Sequence, residues 1–326
     1  MYKYNSKFIS ILFIGHLAID NIIRFNKPNT PSLGGTVTFG SLALRNYTKH
    51  VNIGIISNIG KKNFYASFIN KFNKKNIDLN GIKWSDSLNT NFVLNYLDHS
   101  RILTLKSKSP NLNFDDIPNF YKINKPDIIV LAPLCNEISH EYVSRIVLEF
   151  PNSYIGIDLQ GFIRNINEKG EVSYISNKEL LEKVYNIIEL IGDRLILKGS
   201  EIEMQLLTGK ENLGEVMEYF QKFKNKGIYI MTLGENGSMI KKEEAPIIRV
   251  PAFKPVEVID ETGAGDVYLA IFLYEFMTSN RSRPDIEASA YLASAAASFL
   301  VEENGPAGFQ RKTKVLKRVN SRNYIN

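Results

Sequence analysis

Cysteine and tryptophan are nearly missing from these 326 residues, with one of each, and the cysteine is Cys135. A single cysteine closes no internal disulfide. At this length none is needed, because a chain of about 300 residues removes roughly three quarters of its unfolded surface from water. One cysteine and no secretory leader lead us to expect a reducing cytoplasm. Long apolar runs are absent too. The first, residues 8–14, ends at Gly15, far short of the ~20 residues a spanning helix needs, so no membrane partner is expected. His16, His50, His99 and His140 are scattered without metal-ligand spacing. The sequence also lacks Gly-x4-Gly-Lys-Ser/Thr, Gly-x-Ser-x-Gly and a strand-linked Gly-x-Gly-x-x-Gly. These absences exclude a P-loop phosphotransferase, an α/β hydrolase and a dinucleotide-binding fold.

With 44% hydrophobic and 23% charged residues, the chain has the composition of a folded domain. Its net charge of +6 and pI near 9.1 raise the question of a nucleic-acid partner. The lysines are dispersed among many asparagines without a recognised binding motif, so no nucleic acid is expected. The same charge suits an anionic small molecule such as a nucleotide.

Apolar, β-rich runs at residues 8–14, 51–56, 127–131, 154–158, 194–197 and 227–232 predict strands. Amphipathic stretches at 64–72, 140–150, 178–191 and 213–223 predict helices between them. Such alternation predicts an α/β fold with a mostly parallel central sheet and helices on both faces. Residues 237–250 read as two short strands around a charged turn at 241–244, an antiparallel edge. Two helices, 263–278 and about 285–301, close the chain. Residues 91–106 break the alternation. They form a predicted hairpin turning at Asp98-His99-Ser100, with Phe92, Leu94 and Tyr96 on one arm and Ile102 and Leu105 on the other. We read one domain over 1–326 with a small β lid from about 22–37 and 90–107.

The strongest chemical signal is Asp260-Glu261-Thr262-Gly263-Ala264-Gly265-Asp266, followed at once by an apolar helix. Gly263, Ala264 and Gly265 turn tightly and offer N–H groups at a helix N-terminus, an anion hole for phosphate or a developing charge. Asp266 in the first turn suits a general base that takes a proton from an attacking hydroxyl. The loop alone fits a capped helix equally well.

The order Asp-x-Thr-Gly-Ala-Gly-Asp resembles the signature of the ribokinase-like (PfkB-type) sugar and nucleoside kinases. Three further segments resemble that family in its order and approximate spacing. Ile14-Gly15 with Asp20, then Gly34-Gly35, is similar to its substrate-binding start. Lys198-Gly199-Ser200-Glu201 stands where the family has Asn-x-x-Glu, and Thr232-Leu233-Gly234-Glu235-Asn236-Gly237 matches its nucleotide loop. The resemblance implies a ribokinase-like kinase with Asp266 as the catalytic base. Asp20, Gly34, Gly35, Thr36 and Gln160 would bind the acceptor. Lys198, Thr232, Gly234, Gly237, Gly263, Gly265 and Asn304 would bind ATP, and Glu201 would hold Mg²⁺ through water. The resemblance also implies a monovalent cation near Asp260, and a lid that often makes a dimer contact.

Each of these residues has a plainer reading as well. Asp20 fits a turn cap, Gly34-Gly35 a tight turn, Glu201 a first-turn glutamate, and Asn304-Gly305-Pro306 an ordinary helix end. Lys198 reaches a phosphate as a point charge or simply ends a strand. The stripe Ala290, Ala293, Ser294 and Ala297 is read as helix packing.

After Gly34-Gly35 comes Thr36-Val37-Thr38-Phe39, not the Lys-Gly-Ala-Asn of ribokinase proper. Residues 33–39, and Ile157-Asp158-Leu159-Gln160-Gly161-Phe162-Ile163-Arg164, are more similar to the inositol-kinase branch. Arg164 suits a bidentate pair with the γ-phosphate, or is a surface arginine. The expectation is an ATP- and Mg²⁺-dependent kinase of a sugar or cyclic polyol, best guess myo-inositol. The alternatives are a nucleoside or furanose sugar kinase, or a catalytically silent nucleotide or polyol sensor.

Overall fold

The computed structural model describes residues 8–23, 31–97, 100–174 and 177–325. Across its central nine-stranded sheet the strands run β15 (Ile248–Val250), β14 (Ser238–Lys242), β13 (Ile228–Thr232), β12 (Leu195–Ser200), β9 (Tyr154–Asp158), β8 (Ile128–Leu131), β1 (Ile9–Ile14), β4 (Val51–Gly60) and β5 (Asp78–Ser85). All neighbours are parallel except β13–β14 and β14–β15, the antiparallel edge expected from residues 237–250.

The middle strands are apolar throughout because both of their faces are covered. On β1, Ile11 and Phe13 point into one core while Leu12 and Ile14 point into the other. Helices Thr36–Tyr47, Ala264–Thr278 and Arg283–Leu300 fill the first side. Helices His140–Glu149, Lys178–Ile191, Glu201–Thr208 and Leu213–Glu218 fill the second. Among the described residues, no helix is long and apolar enough to cross a membrane.

A second sheet of four strands has the order β3 (Pro31–Gly34), β2 (Ala18–Ile23), β6 (Asn91–Leu97) and β7 (Ser100–Ser107). A two-stranded ribbon, β10 (Asn165–Ile166) with β11 (Val172–Ser173), touches it through the bridge Thr104–Glu171. Ala18, Phe92, Leu94, Leu134 and Cys135 form a small apolar cluster beneath this sheet.

Several expectations shift. The small sheet begins at Ala18, so Asp20 lies on a strand of it, and Thr36 and Val37 open a helix instead of closing the lid. The turn at Asp98-His99 and the 24–30 part of the lid lie outside the described residues. Ile102 faces solvent and is 48% exposed. A register shift between Asn91 and Phe92 pairs Phe92 with Leu105 and Leu94 with Leu103, so Leu103 takes the inward place. Lys241 and Lys242 continue β14 and are not part of the charged turn. Lys241 is buried, with its Nζ 2.6 Å from Glu218 Oε2, and the chain turns at Glu243. Strand β5 and the closing helix Lys312–Ser321 were not expected. Both are polar elements at the margin that bury only one side.

Candidate active site

At the C-terminal ends of β9 and β12 the chain brings two buried charges together, Asp158 and Lys198. Gly263 precedes the helix Ala264–Thr278 with φ +86, a left-handed conformation that favours glycine. A Cβ there would also come within 2.4 Å of the Phe39 ring. The turn leaves the N–H groups of Gly263 and Gly265 without a partner among the described residues. Ala264 differs from the expectation, since its N–H donates to the Glu261 carbonyl at 3.2 Å. An anion hole here would therefore rest on the two glycines, with the helix dipole behind them.

Asp266, on the first turn, sits in a hydrogen-bonded chain. The Thr36 hydroxyl donates to Asp266 Oδ1 at 2.7 Å, with Asp158 Oδ2 at 3.2 Å. Gln160 Nε2 donates to Thr36 Oγ1 at 2.8 Å, and Arg164 Nη2 donates to Gln160 Oε1 at 2.7 Å. Lys198 Nζ lies 3.1 Å from both oxygens of Asp158. Burial and then the charge of Asp158 push the Asp266 carboxyl up to about 7, against the pull of Lys198 and the Thr36 hydroxyl. Burial opposes the Lys198 ammonium, but Asp158, Glu203 and Asp266 more than offset it and raise its pKa. An atom at the Cβ position of residue 265 would lie 2.9 Å from Lys198 Nζ, so that ammonium stands beside the anion hole.

Two cavities meet at this point. One, of about 320 Å³, is floored by Asp20, Gln160, Arg164, Lys198, Glu203 and Asp266 and roofed by Phe92, Leu94 and Leu103 of the small sheet. Gly34 packs directly on the Asp20 carboxylate: a Cβ at residue 34 would fall 1.8 Å from Asp20 Oδ2. Gly35 lines the cleft. The other cavity, of about 300 Å³, is bounded by Gly234, Gly237, Phe253, Pro255, Val258, Tyr268 and Val301. Thr232, Glu261, Ala264 and Gly265 belong to both.

Two expected residues stand apart. Glu201 lines neither cavity. Glu203, two residues later, does, because it completes a capping box: its Oε2 accepts from Ser200 N at 2.8 Å, and its Oε1 accepts from the Tyr174 hydroxyl at 3.0 Å. Asn304 is exposed before the turn Gly305–Gly308 and lines neither cavity. Ser294 and Ala297, read from the sequence as packing residues, border the second cavity. Asp158 had been placed only at a strand end. The β9–β12 register sets it opposite Lys198, a pairing invisible without the sheet. Glu203 had a local signal, Ser-x-x-Glu at Ser200. Asp260 is 7% exposed, and its Oδ1 accepts from Thr262 N at 3.0 Å.

A buried carboxylate, two glycine N–H groups at a helix N-terminus and a fixed cation lie between two cavities on a parallel sheet, an arrangement that suits a phosphotransferase. Residues 46–313 match the pfkB family carbohydrate kinases, and the chain belongs to that family. It is a kinase that phosphorylates a sugar or nucleoside hydroxyl. The nucleoside kinase of Methanocaldococcus jannaschii is 25% identical to it over 318 residues, 92% of each chain. A fructokinase double mutant from Vibrio cholerae O395, bound to fructose, ADP and potassium ion, matches with a TM-score of 0.77 at 18% identity, over 96% of this chain and 98% of that one. A pyrophosphate-dependent kinase in the ribokinase family, complexed with a pyrophosphate analog and myo-inositol, matches with a TM-score of 0.74 at 20% identity, over 94% of this chain and 99% of that one. At these identities the two structures attest a ribokinase-like fold.

Proposed function

We propose that the protein transfers the γ-phosphoryl group of ATP to a hydroxyl of a cyclic polyol, with myo-inositol the leading candidate. The observation that carries this reading is the shape of the first cavity. Its floor of Asp20, Gln160 and Asp266 suits a ring edge of hydroxyls, and its roof of Phe92, Leu94 and Leu103 suits a face of C–H bonds. The sequence stretches around Thr36 and Gln160 support the same choice. The apolar second cavity suits a nucleobase, with Thr232, Gly234 and Gly237 along its edge.

In this reading the Asp266 carboxylate takes the proton of the acceptor hydroxyl as that oxygen bonds to the γ-phosphorus and the bond to the β-phosphate oxygen breaks. Gly263, Gly265 and Lys198 hold the charge of the transferring group. Asp20 orients the acceptor, Thr36 orients Asp266, and the small sheet acts as the lid. A hard divalent ion takes oxygen ligands and keeps most of its waters, which the carboxylates at the start of the helix Glu201–Thr208 fit. Glu203 lines the cleft and the half-buried Glu201 would be reached through water. Mg²⁺ held there would neutralise donor phosphates. A monovalent cation near Asp260 would steady the loop before Gly263.

ATP consumption across a panel of inositols, nucleosides, hexoses and pentoses tests the reading. The highest kcat/KM is expected with myo-inositol, and a clear preference for a furanose or nucleoside would replace it with that alternative.

A further inference from the structure

Behind the acceptor cleft lies a hollow that phosphoryl transfer does not use. Arg164 borders both, and the far side is a cavity of about 380 Å³ bounded also by Leu105, Lys108, Cys135 and Lys183. Its cations are unevenly compensated. Lys183 is paired at 2.8 Å with Glu179, the one carboxylate among the described residues that line this cavity. Arg164 is 7% exposed, yet its guanidinium donates to neutral oxygens, the Leu134 carbonyl at 3.0 Å and the Gln160 amide at 2.7 Å, and its Nε has no partner. Lys108 makes no hydrogen bond or ion pair among the described residues. The nearby carboxylate of Glu137 is turned away behind Cys135, where it accepts from the N–H groups of His16, Leu134 and Cys135.

A buried cation without a counter-charge is costly, and proteins ordinarily supply a carboxylate. Here Arg164 is such a cation, and the half-buried Lys108, likewise without a carboxylate partner, faces the same cavity. We propose that this cavity is an anion subsite in which Lys108 and Arg164 bind a carboxylate or phosphate group. Two sources share that chemistry: an acid group carried by the acceptor past Arg164, or a free anion bound beside it. Only the first rests on the reading of the cleft as the acceptor site. Occupancy would also bear on catalysis, because Arg164 leads through Gln160 and Thr36 to Asp266.

Calorimetric titration of inorganic phosphate into the full chain, without donor or acceptor, tests the subsite apart from any kinase activity. Losing one charge-assisted contact in Lys108→Ala or Lys108→Gln should weaken the phosphate affinity about tenfold, and Lys108→Arg should restore it. Kinetics with D-gluconate and D-glucitol then separate the sources. A rise of about tenfold in KM for gluconate alone in Lys108→Gln assigns the anion to the acceptor. A phosphate effect on the KM of the neutral acceptor, present in the wild type and lost in Lys108→Gln, assigns it to a free anion. Phosphate binding that is absent or unchanged by substitution, with both KM values unaltered, overturns the proposal.

Discussion

The two cavities that meet at Gly265 are built on opposite principles. The cleft proposed for the acceptor has a floor of charged and hydrogen-bonded side chains, with Lys198 6% and Arg164 7% exposed and the wholly buried Asp158 beneath them. Each holds the next in place: Arg164 to Gln160, Gln160 to Thr36, Thr36 to Asp266, and Lys198 to Asp158. The cavity proposed for the donor has walls of Phe253, Pro255, Val258, Tyr268, Ala297 and Val301. Charge taken out of water is costly unless it is hydrogen-bonded and oriented, so the first site is stiff and sensitive to every atom. Apolar contact is non-directional and scales with area, so the second site sets affinity and not geometry. Substitutions on the floor should therefore act on kcat and stability, and substitutions in the donor cavity on KM.

The largest effect is expected at Asp266. Asp266→Asn keeps the shape and removes the base, which should lower kcat roughly 10²–10⁴-fold while leaving nucleotide affinity nearly intact. More than about a third of wild-type kcat in the variant, a far smaller loss than removal of a positioned base causes, would sink the assignment. The raised pKa adds a pH test with two opposite signs. The base must be ionised, so kcat/KM of the wild type should rise as pH climbs through about 7. The carboxyl's ordinary value is 3.8, so the folded state holds the proton more tightly than the unfolded one. That contribution to stability is complete below 3.8 and is lost as pH rises to about 7. Urea unfolding at pH 4 and pH 8, with Asp266→Asn as control, checks the second sign.

Next comes the Lys198–Asp158 pair. Lys198→Ala strands a buried carboxylate, and breaking such a pair costs roughly 3–5 kcal/mol. Adding Asp158→Asn should return part of that loss, so the double variant should be more stable than the sum of the singles predicts. Strict additivity in denaturant unfolding would show that the two charges do not depend on each other.

A smaller, purely donor-side effect is expected from Ala297→Phe, which overpacks the apolar cavity. A penalty of 1–3 kcal/mol should raise the KM for ATP roughly tenfold, with the acceptor KM and kcat little changed. A fall in kcat equal to the rise in KM would erase the distinction between the two cavities.

What the sequence made legible follows the same division. The Gly263–Asp266 turn, the strand ends and Asp20 with Gly34 were readable because their chemistry is local. The Asp158–Lys198 pairing was not, since parallel register joins residues whose separation in sequence carries no pattern. Glu203 outranks Glu201 at the cleft for a local reason, its capping box with Ser200, which spacing alone offered. The small-residue stripe packs as expected, with Ala290 and Ala293 in the core, Ala297 against it and Ser294 buried, but Ser294 and Ala297 also border the second cavity. Polar margins such as β5 and the helix Lys312–Ser321 lack the two-sided apolar runs by which the central strands announce themselves.

The small sheet should sharpen the comparison with the mildest effect. Phe92, Leu94 and Leu103 line the acceptor cleft, and none of them borders the donor cavity. A two-stranded hairpin is marginal in water, and here Phe92 and Leu94 are held at 3% and 4% exposure by packing on the cluster around Leu134. Its other face carries Ile23 and Ile102, 40% and 48% exposed, a surface suited to a second copy of the chain. Replacing residues 96–102 with Asn-Gly keeps the inward pair Leu94–Leu103 and removes the tip of the hairpin. If the sheet closes over the acceptor, water gains access to the phosphoryl group. ATP hydrolysis should then rise severalfold relative to phosphorylation, with the KM for ATP unchanged. A constant ratio, accompanied only by a change from dimer to monomer in sedimentation, would make the segment an assembly device and leave closure of the cleft to other parts of the chain.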